Sequence, residues 1–297
     1  MRIYTLKGAI NMKKQFTAVI GVSLAALLLL SSCSKKTEQT DNTDDGADAV
    51  QTTDVSVQEL PFEYRTSGDS AVITGYTGDA ADVEIPKTIS DSESGSVYTV
   101  TEIDAGAFFG NASITSVVIP EGVETVGAGA FQNCGALESV VMPSSLKTIG
   151  TRAFFNCQSL ADVTFGENVS SVGYMAFSDF FTECPWYASL KDEKVIVGDG
   201  VLLKYNGSAP AVFGVGDEVK HVAYYAFLDS KAPTAEFSKS LETIDERAFV
   251  GSETLIQLDA ECPAVEDAKQ YGLNYEIIPA QNAEETEAET ESTEAAD

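Results

Sequence analysis

The chain has 297 residues, room for one large domain or a repeat array. It carries 46 acidic against 18 basic side chains, a formal net charge of −28, and 44% of its residues are hydrophobic. So acidic a chain repels nucleic-acid phosphates and anionic lipid headgroups, which excludes nucleic acid as a partner and a basic patch as a membrane contact.

Residues 1–32 contain no acid. Lys13 and Lys14 precede an apolar run from Ala18 to Leu30, which Ser31-Ser32-Cys33 closes. That is a basic n-region, a short h-region and a small-residue cleavage site. The run is too short for a hydrocarbon core of about 30 Å. Met12-Lys13-Lys14 reads as a natural start, which makes residues 1–11 an extension. The order Leu30-Ser31-Ser32-Cys33 resembles a bacterial lipobox; the bland alternative is an ordinary secretory signal with an incidental cysteine. The resemblance implies a diacylglyceryl group on the Cys33 thiol, cleavage just before it, and a chain anchored on the outer face of the bacterial membrane or envelope. Losing the four cations of the leader takes the net charge from −28 to −32. Attachment then rests on acyl chains, at about 0.8 kcal/mol per buried CH₂. Residues 33–59 after the lipid site are rich in Thr, Asp and Gln and read as a disordered tether.

Residues 60–279 read as the folded region. Phe62-Glu63-Tyr64-Arg65 and Ala71-Val72-Ile73-Thr74 flank Ser67-Gly68-Asp69, a hairpin suited to cap a first coil. The chain then repeats. Val117-Val118-Ile119-Pro120, Val140-Val141-Met142-Pro143 and Val163-Thr164-Phe165-Gly166 align, and each leads to an apolar pair and a glycine. An Ala-Phe pair recurs at Ala107-Phe108, Ala130-Phe131, Ala153-Phe154 and Ala176-Phe177, a spacing of 23, and again at Ala226-Phe227 and Ala248-Phe249. Val140 and Met142 alternate with Ser139 and Val141, so a short strand turns two side chains inward and two outward. Leu146, Ile149, Ala153 and Phe154 continue the inward set. One coil cannot bury that face alone, but stacked coils bury it continuously, with each Phe on the next.

The pattern resembles the leucine-rich repeat of the BspA type over about residues 83–260. The resemblance implies a β-rich solenoid with a short parallel strand per coil. It also implies a cell-surface role, since members of that family are associated with adhesion to host matrix proteins or to other bacteria. Gly166 and Gly216 stand where Pro is usual, and the cysteine step at Cys134 and Cys157 is replaced near Asn111, Asp179, Ser230 and Ser252.

Between Ala176 and Ala226 the period breaks. Val195-Ile196-Val197 and Val201-Leu202-Leu203 flank Gly198-Asp199-Gly200, an inserted hairpin that either projects from one face or spans a coil. Trp186, the single tryptophan, precedes it and reads as a core or lid residue before a ligand platform. Gln270 to Ile277 reads as a C-terminal cap, and residues 280–297 as a disordered acidic tail.

Little chemistry is on offer, and neither enzymatic activity nor a cofactor or metal is expected. The single histidine, His221, aligns with Lys147 or Thr148 and reads as a solvated edge residue. No metal-ligand spacing surrounds it. Gly127-Ala128-Gly129 and Gly214-Val215-Gly216 lack the strand-to-helix context of a phosphate loop. Asp41 to Gly46 faintly resembles a calcium loop, but Thr43 stands where an acid or Asn is wanted and Thr52 where the bidentate Glu should be. Cys134 and Cys157 sit one coil apart, close enough for a disulfide, but parallel side chains do not suit its torsion and both read as small buried apolar residues. Cys184 and Cys262 lie outside the repeat positions and have no assigned pairing. What remains is recognition of a protein or glycan. The outward strand positions are Ser116 and Val118, Ser139 and Val141, Asp162 and Thr164, with Val212, Gly214, Thr234 and Glu236 further on. The first six are the expected partner-binding residues. An accessory or substrate-capture lipoprotein of a transport or polysaccharide system is the alternative.

Overall fold

The computed structural model describes residues 61–91, 94–178, 184–207 and 212–279. The leader, Cys33, the tether and the acidic tail lie outside the described residues. The fold is a β-solenoid with little helix.

The hairpin β1 (Phe62–Ser67) and β2 (Ser70–Tyr76) opens it. After β3 (Asp82–Glu84), β4 (Thr88–Ser90) and β5 (Val97–Ile103), successive coils each supply a three-residue and a two-residue strand. These are β6 (Ser116–Val118) with β7 (Thr125–Val126), β8 (Ser139–Val141) with β9 (Thr148–Ile149), and β10 (Asp162–Thr164) with β11 (Ser171–Val172). Two ladders result. The first runs β3-β6-β8-β10 and the second β1-β2-β5-β7-β9-β11, with β4 attached to β5. All contacts between coils are parallel, as in β6 on β8 and β7 on β9.

The inward register is as the repeat requires. Val140, Met142, Leu146, Ile149, Ala153 and Phe154 are buried. The ladder phenylalanines stack ring on ring: Phe108 on Phe131 at 4.6 Å, Phe131 on Phe154 at 5.1 Å and Phe154 on Phe177 at 5.2 Å. Such pairs contribute about 0.5–1.5 kcal/mol beyond the area they bury. Tyr76 of the cap stacks on Phe108 at 5.4 Å and ends the column. Cys134 and Cys157 are free and buried, and each thiol donates to a carbonyl of the preceding coil, Phe108 O and Phe131 O, at 3.1 Å. Burial pushes the Cys134 thiol up to about 11. Cys184 and Cys262 are also free and buried.

Glycine is needed where the coils approach most closely. A Cβ on Gly150 would stand 2.7 Å from the Ala128 amide nitrogen of the coil before, and Gly127 and Gly173 make the same approach. In the later coils, counting back from the ladder Phe, Ala223 and Asp245 hold this position.

The inserted segment does not project. α1 (Pro185–Ser189) takes over from the first ladder after β10, with the Trp186 amide donating to Leu160 O at 2.8 Å. Trp186 is buried against Phe165 and Phe177, so it is a core residue. β12 (Lys194–Val197) and β13 (Val201–Tyr205) form the hairpin, and β13 then pairs in parallel with the next coil. Its side chains alternate between two cores. Val195, Val197, Val201 and Leu203 belong to the N-terminal cluster, while Ile196, Leu202 and Tyr205 belong to the C-terminal one. The hairpin is therefore a shared wall. Lys194 locks it to the next coil by donating to Val215 O at 2.8 Å and pairing with Glu218 at 3.0 Å.

Beyond it run β14 (Val212–Gly214) with β15 (His221–Val222), β16 (Thr234–Phe237) with β17 (Thr243–Ile244), then β18 (Leu255–Asp259), α2 (Val265–Tyr271) and β19 (Tyr275–Ile278). Phe227 and Phe249 resume the aromatic column at 4.5 Å, with Tyr205 of the wall stacked on Phe227 at 5.0 Å. The expected cap over Gln270 to Ile277 comprises the end of α2 and β19, which pairs in parallel with β18. Asp267 of α2 accepts the Ile244 amide at 2.9 Å, closing the end of the sheet β12-β13-β15-β17.

Candidate functional site

The first ladder brings the six expected partner-binding residues together. Asp82, Ser116, Ser139 and Asp162 stand in register, and so do Glu84, Val118, Val141 and Thr164. The two rows do not offer equal access. Val118, Ser139, Val141 and Thr164 are half-buried and Asp162 is exposed, but Ser116 is only 8% exposed. Asp82 of the neighbouring strand covers it, and the Ser116 hydroxyl donates to Asp82 Oδ1 at 2.6 Å. The face is thus an apolar strip, Val118 beside Val141, bordered by the exposed acids Asp82, Glu84 and Asp162. In the later coils Thr234 and Glu236 are half-buried and Gly214 is exposed.

The histidine departs from expectation. Its side chain is 14% exposed, so it is not a solvated edge residue. His221 lies in a groove of about 330 Å³ lined by Ser171 of β11, Thr243 of β17, Asp245 and Glu246 just after it, and Asp267 of α2. Its Nδ1 is 2.9 Å from Thr243 Oγ1, and Nε2 is 3.8 Å from a Glu242 carboxylate oxygen. Burial holds the imidazole below its ordinary pKa, and the Glu242 charge works in the opposite direction. Burial also lifts the Asp245 carboxyl above the usual carboxylate range. The groove opens where the glycine column gives way to Ala223 and Asp245. Among the described residues no group of three or more His, Cys, Asp or Glu is placed to hold a metal ion, and no helix is long and apolar enough to cross a membrane.

A second cluster escapes the sequence reading. Tyr174 lies 4.3 Å from Tyr224 and 5.9 Å from Tyr225 between ring centroids, and Tyr224 lies 4.5 Å from Tyr225. The Arg152 guanidinium sits over both Tyr174, at 5.6 Å, and Phe155, at 5.5 Å. Arg247 Nε lies 3.8 Å from a Glu246 carboxylate oxygen, and burial pushes the Tyr224 hydroxyl up to about 12. The signal was present in the repeat. Three residues before the ladder Phe stand Ala105, Ala128 and Thr151, then Tyr174 and Tyr224; two before it stand Gly106 and Gly129, then Arg152, Met175 and Tyr225. That second column takes a left-handed backbone, with φ of 69° and 62° at the glycines and 57°, 54° and 64° at the three larger residues. A non-glycine residue held there is strained by of order 1–3 kcal/mol.

Several solved bacterial structures are similar to this chain. A leucine-rich repeat protein from Bacteroides capillosus is 29% identical, over 39% of this chain and 86% of that one, with a TM-score of 0.37. The leucine-rich repeat protein of T. pallidum is 20% identical over 74% of this chain and 97% of that one, with a TM-score of 0.42. A leucine-rich cell surface protein from Faecalibacterium prausnitzii is 18% identical over 76% and 94%, with a TM-score of 0.32. No curated protein matches the chain. Residues 87–183 and 212–274, together more than half of the chain, match the BspA type leucine-rich repeat region in six copies, and the chain belongs to that family.

Proposed function

We propose that this chain is a lipid-anchored protein of the bacterial cell surface. Its repeat array binds a macromolecule, a protein or glycan of a host or of another bacterium, through the strand face of the first ladder. The observation that supports this most is the register of β3, β6, β8 and β10, which lines up corresponding side chains of successive coils on a rigid sheet. A preordered surface loses little entropy on binding. The apolar strip Val118–Val141 with its border of acids favours a partner whose own apolar patch is edged by basic groups. The lipobox-like sequence ending at Cys33 supports the anchor.

Val141→Lys and Thr164→Lys test the surface against arrays of purified host matrix proteins and bacterial polysaccharides. Each should weaken binding at least tenfold, about 1.4 kcal/mol, with the melting transition unchanged. Normal binding by both variants would move the site elsewhere. In bacteria expressing the chain, Cys33→Ala should abolish the lipid seen by mass spectrometry of the mature N-terminus. A second reading, a substrate-capture lipoprotein, draws on the groove beside His221, whose volume lies at the low end of the roughly 300–1,000 Å³ of small-molecule sites.

A further inference from the structure

We infer that the outer edge of β19 (Tyr275–Ile278) is a docking strand for an extended segment of a partner protein in which apolar residues alternate with lysine or arginine. In the parallel pair with β18, Asn274 O accepts the Ile256 amide at 2.9 Å and Ile278 O accepts the Ala260 amide at 3.1 Å. Peptide groups alternate in direction along a strand, so Asn274, Glu276 and Ile278 turn theirs to β18, and Tyr275 and Ile277 turn theirs away. β19 ends its sheet, and among the described residues no strand pairs with its far side. Two N–H and two C=O groups are therefore left for a further strand, the arrangement used in strand addition. The next outward position is Pro279, which has no N–H, so pairing stops there.

The side chains at that edge are half of a core. Phe237, Leu258 and Ile277 stand in register on successive strands, and they are 1%, 0% and 53% exposed. Ala235, Ile256 and the half-buried Tyr275 form the neighbouring column. The inward face of the array thus runs out into solvent at its last rung, where another coil would have covered it. Other sheet ends are covered or blunted. Asp267 meets the Ile244 amide of β17, and α1 follows β10 on the first ladder through the Trp186 amide. β3 flanks its buried Val83 with the exposed Asp82 and Glu84, while β1 carries a bulge at Glu63 and an ion pair from Arg65 to Asp104. Such devices keep strand edges from pairing. β19 has no bulge and no charge on its inward side.

Charge selects the occupant. Residues 248–297 hold thirteen acids and one base, Lys269. Residues 280–297, which follow β19 directly, include no aromatic side chain and no aliphatic one larger than alanine, so they offer nothing to cover Ile277. A second copy of the chain would bring two such acidic ends together, and like charges at close range oppose it. A basic segment is drawn in by the same charge.

Register sets the pattern of that segment. Directly opposed side chains of two paired strands share a face. Guest residues beside Tyr275 and Ile277 therefore lie on the inward face and complete the core only if they are apolar. The guest residue beside Glu276 lies on the outer face, where Glu236, Gln257 and the exposed Glu276 stand in register and Gln257 donates to Glu276. A lysine or arginine there meets a carboxylate. The site belongs to the sheet β14-β16-β18-β19 and does not rest on the strand face of the first ladder.

The test is fluorescence anisotropy of the full chain in detergent, at physiological salt, with a short labelled peptide of alternating lysine and valine. It should bind. Peptides that alternate lysine with serine or glutamate with valine, and the lysine–valine peptide N-methylated at every amide, should each bind at least tenfold more weakly. Ile277→Lys should lose at least tenfold in affinity. Ile277→Pro removes an outward N–H and none of the bonds to β18, and it should lose as much, with the melting temperature of both variants little changed. No binding of the lysine–valine peptide, equal binding of its N-methylated form, or normal binding by both variants would overturn the docking strand. Equal binding of the lysine–serine peptide would overturn it in favour of charge alone. A dimer of the parent chain in sedimentation that Ile277→Lys dissociates would give the edge to a second copy and overturn the basic segment. Val141→Lys should bind the peptide normally, so failure of the strand-face reading and failure of this one are separable.

Discussion

At the scale of single residues, His221 shows how a neighbour's identity overrides a repeat position. Alignment with Lys147 and Thr148 places it at a solvated edge, yet the adjoining Gly200 and Thr243 and the half-buried Asp245 enclose it. Its pKa is lowered in the folded state by burial. As pH falls through the ordinary histidine range near 6.5, the unfolded chain takes up the proton first, so this group stabilises the fold above that range and the contribution is lost below it. Asp245 has the opposite sign, since its carboxyl is raised on folding and favours the folded state at low pH. The fall in melting temperature between pH 7 and pH 5 should therefore be smaller in His221→Gln than in the parent. Thermal melts across that range decide it, and parallel profiles would mean that the imidazole is not held neutral. No such signal was legible in the sequence, because burial in the groove depends on which coil follows which.

At the scale of elements, the coil is where sequence and structure agree most fully. The strand alternation, the buried Leu146 and Ile149, and the Phe column are fixed by a repeat that buries the same positions in every coil. Phe154→Ala should destabilise the protein by about 3–5 kcal/mol through the cavity it leaves between two stacked rings. Ser139→Ala on the half-buried outer row should stay within about 0.5 kcal/mol. Denaturant melts giving equal losses would put the register one residue out. The inserted hairpin was less legible, although its signal was there. Val195-Ile196-Val197 and Val201-Leu202-Leu203 are unbroken apolar runs, the mark of strands buried on both faces, and a projecting hairpin would alternate apolar with polar. The tyrosine–arginine cluster was missed for a different reason: attention to the residues that recur hides the columns in which they stop recurring.

At the scale of the whole array, the two cores on either side of β12 and β13 set the units of stability. Repeat arrays lose structure locally, in proportion to the interfaces each coil shares with its neighbours. Leu202 faces the C-terminal cluster and Val201 the N-terminal one. Hydrogen exchange of Leu202→Ala should show protection lost mainly in β15 to β18, and that of Val201→Ala mainly in β7 to β11. A uniform loss in both variants would mean that the array opens as one cooperative unit.

The hairpin also sets a reading frame. Successive residues along its strands serve opposite cores, so the phase of the chain there is binary. Whole coils can be duplicated or lost on either side in the course of descent, since each brings its own complete inward set. A single residue gained within β13 would exchange the two sets, sending Leu202 and its neighbours to the wrong core. Inherited length variation in this protein should accordingly fall in whole-coil steps outside the hairpin and not in single residues within it.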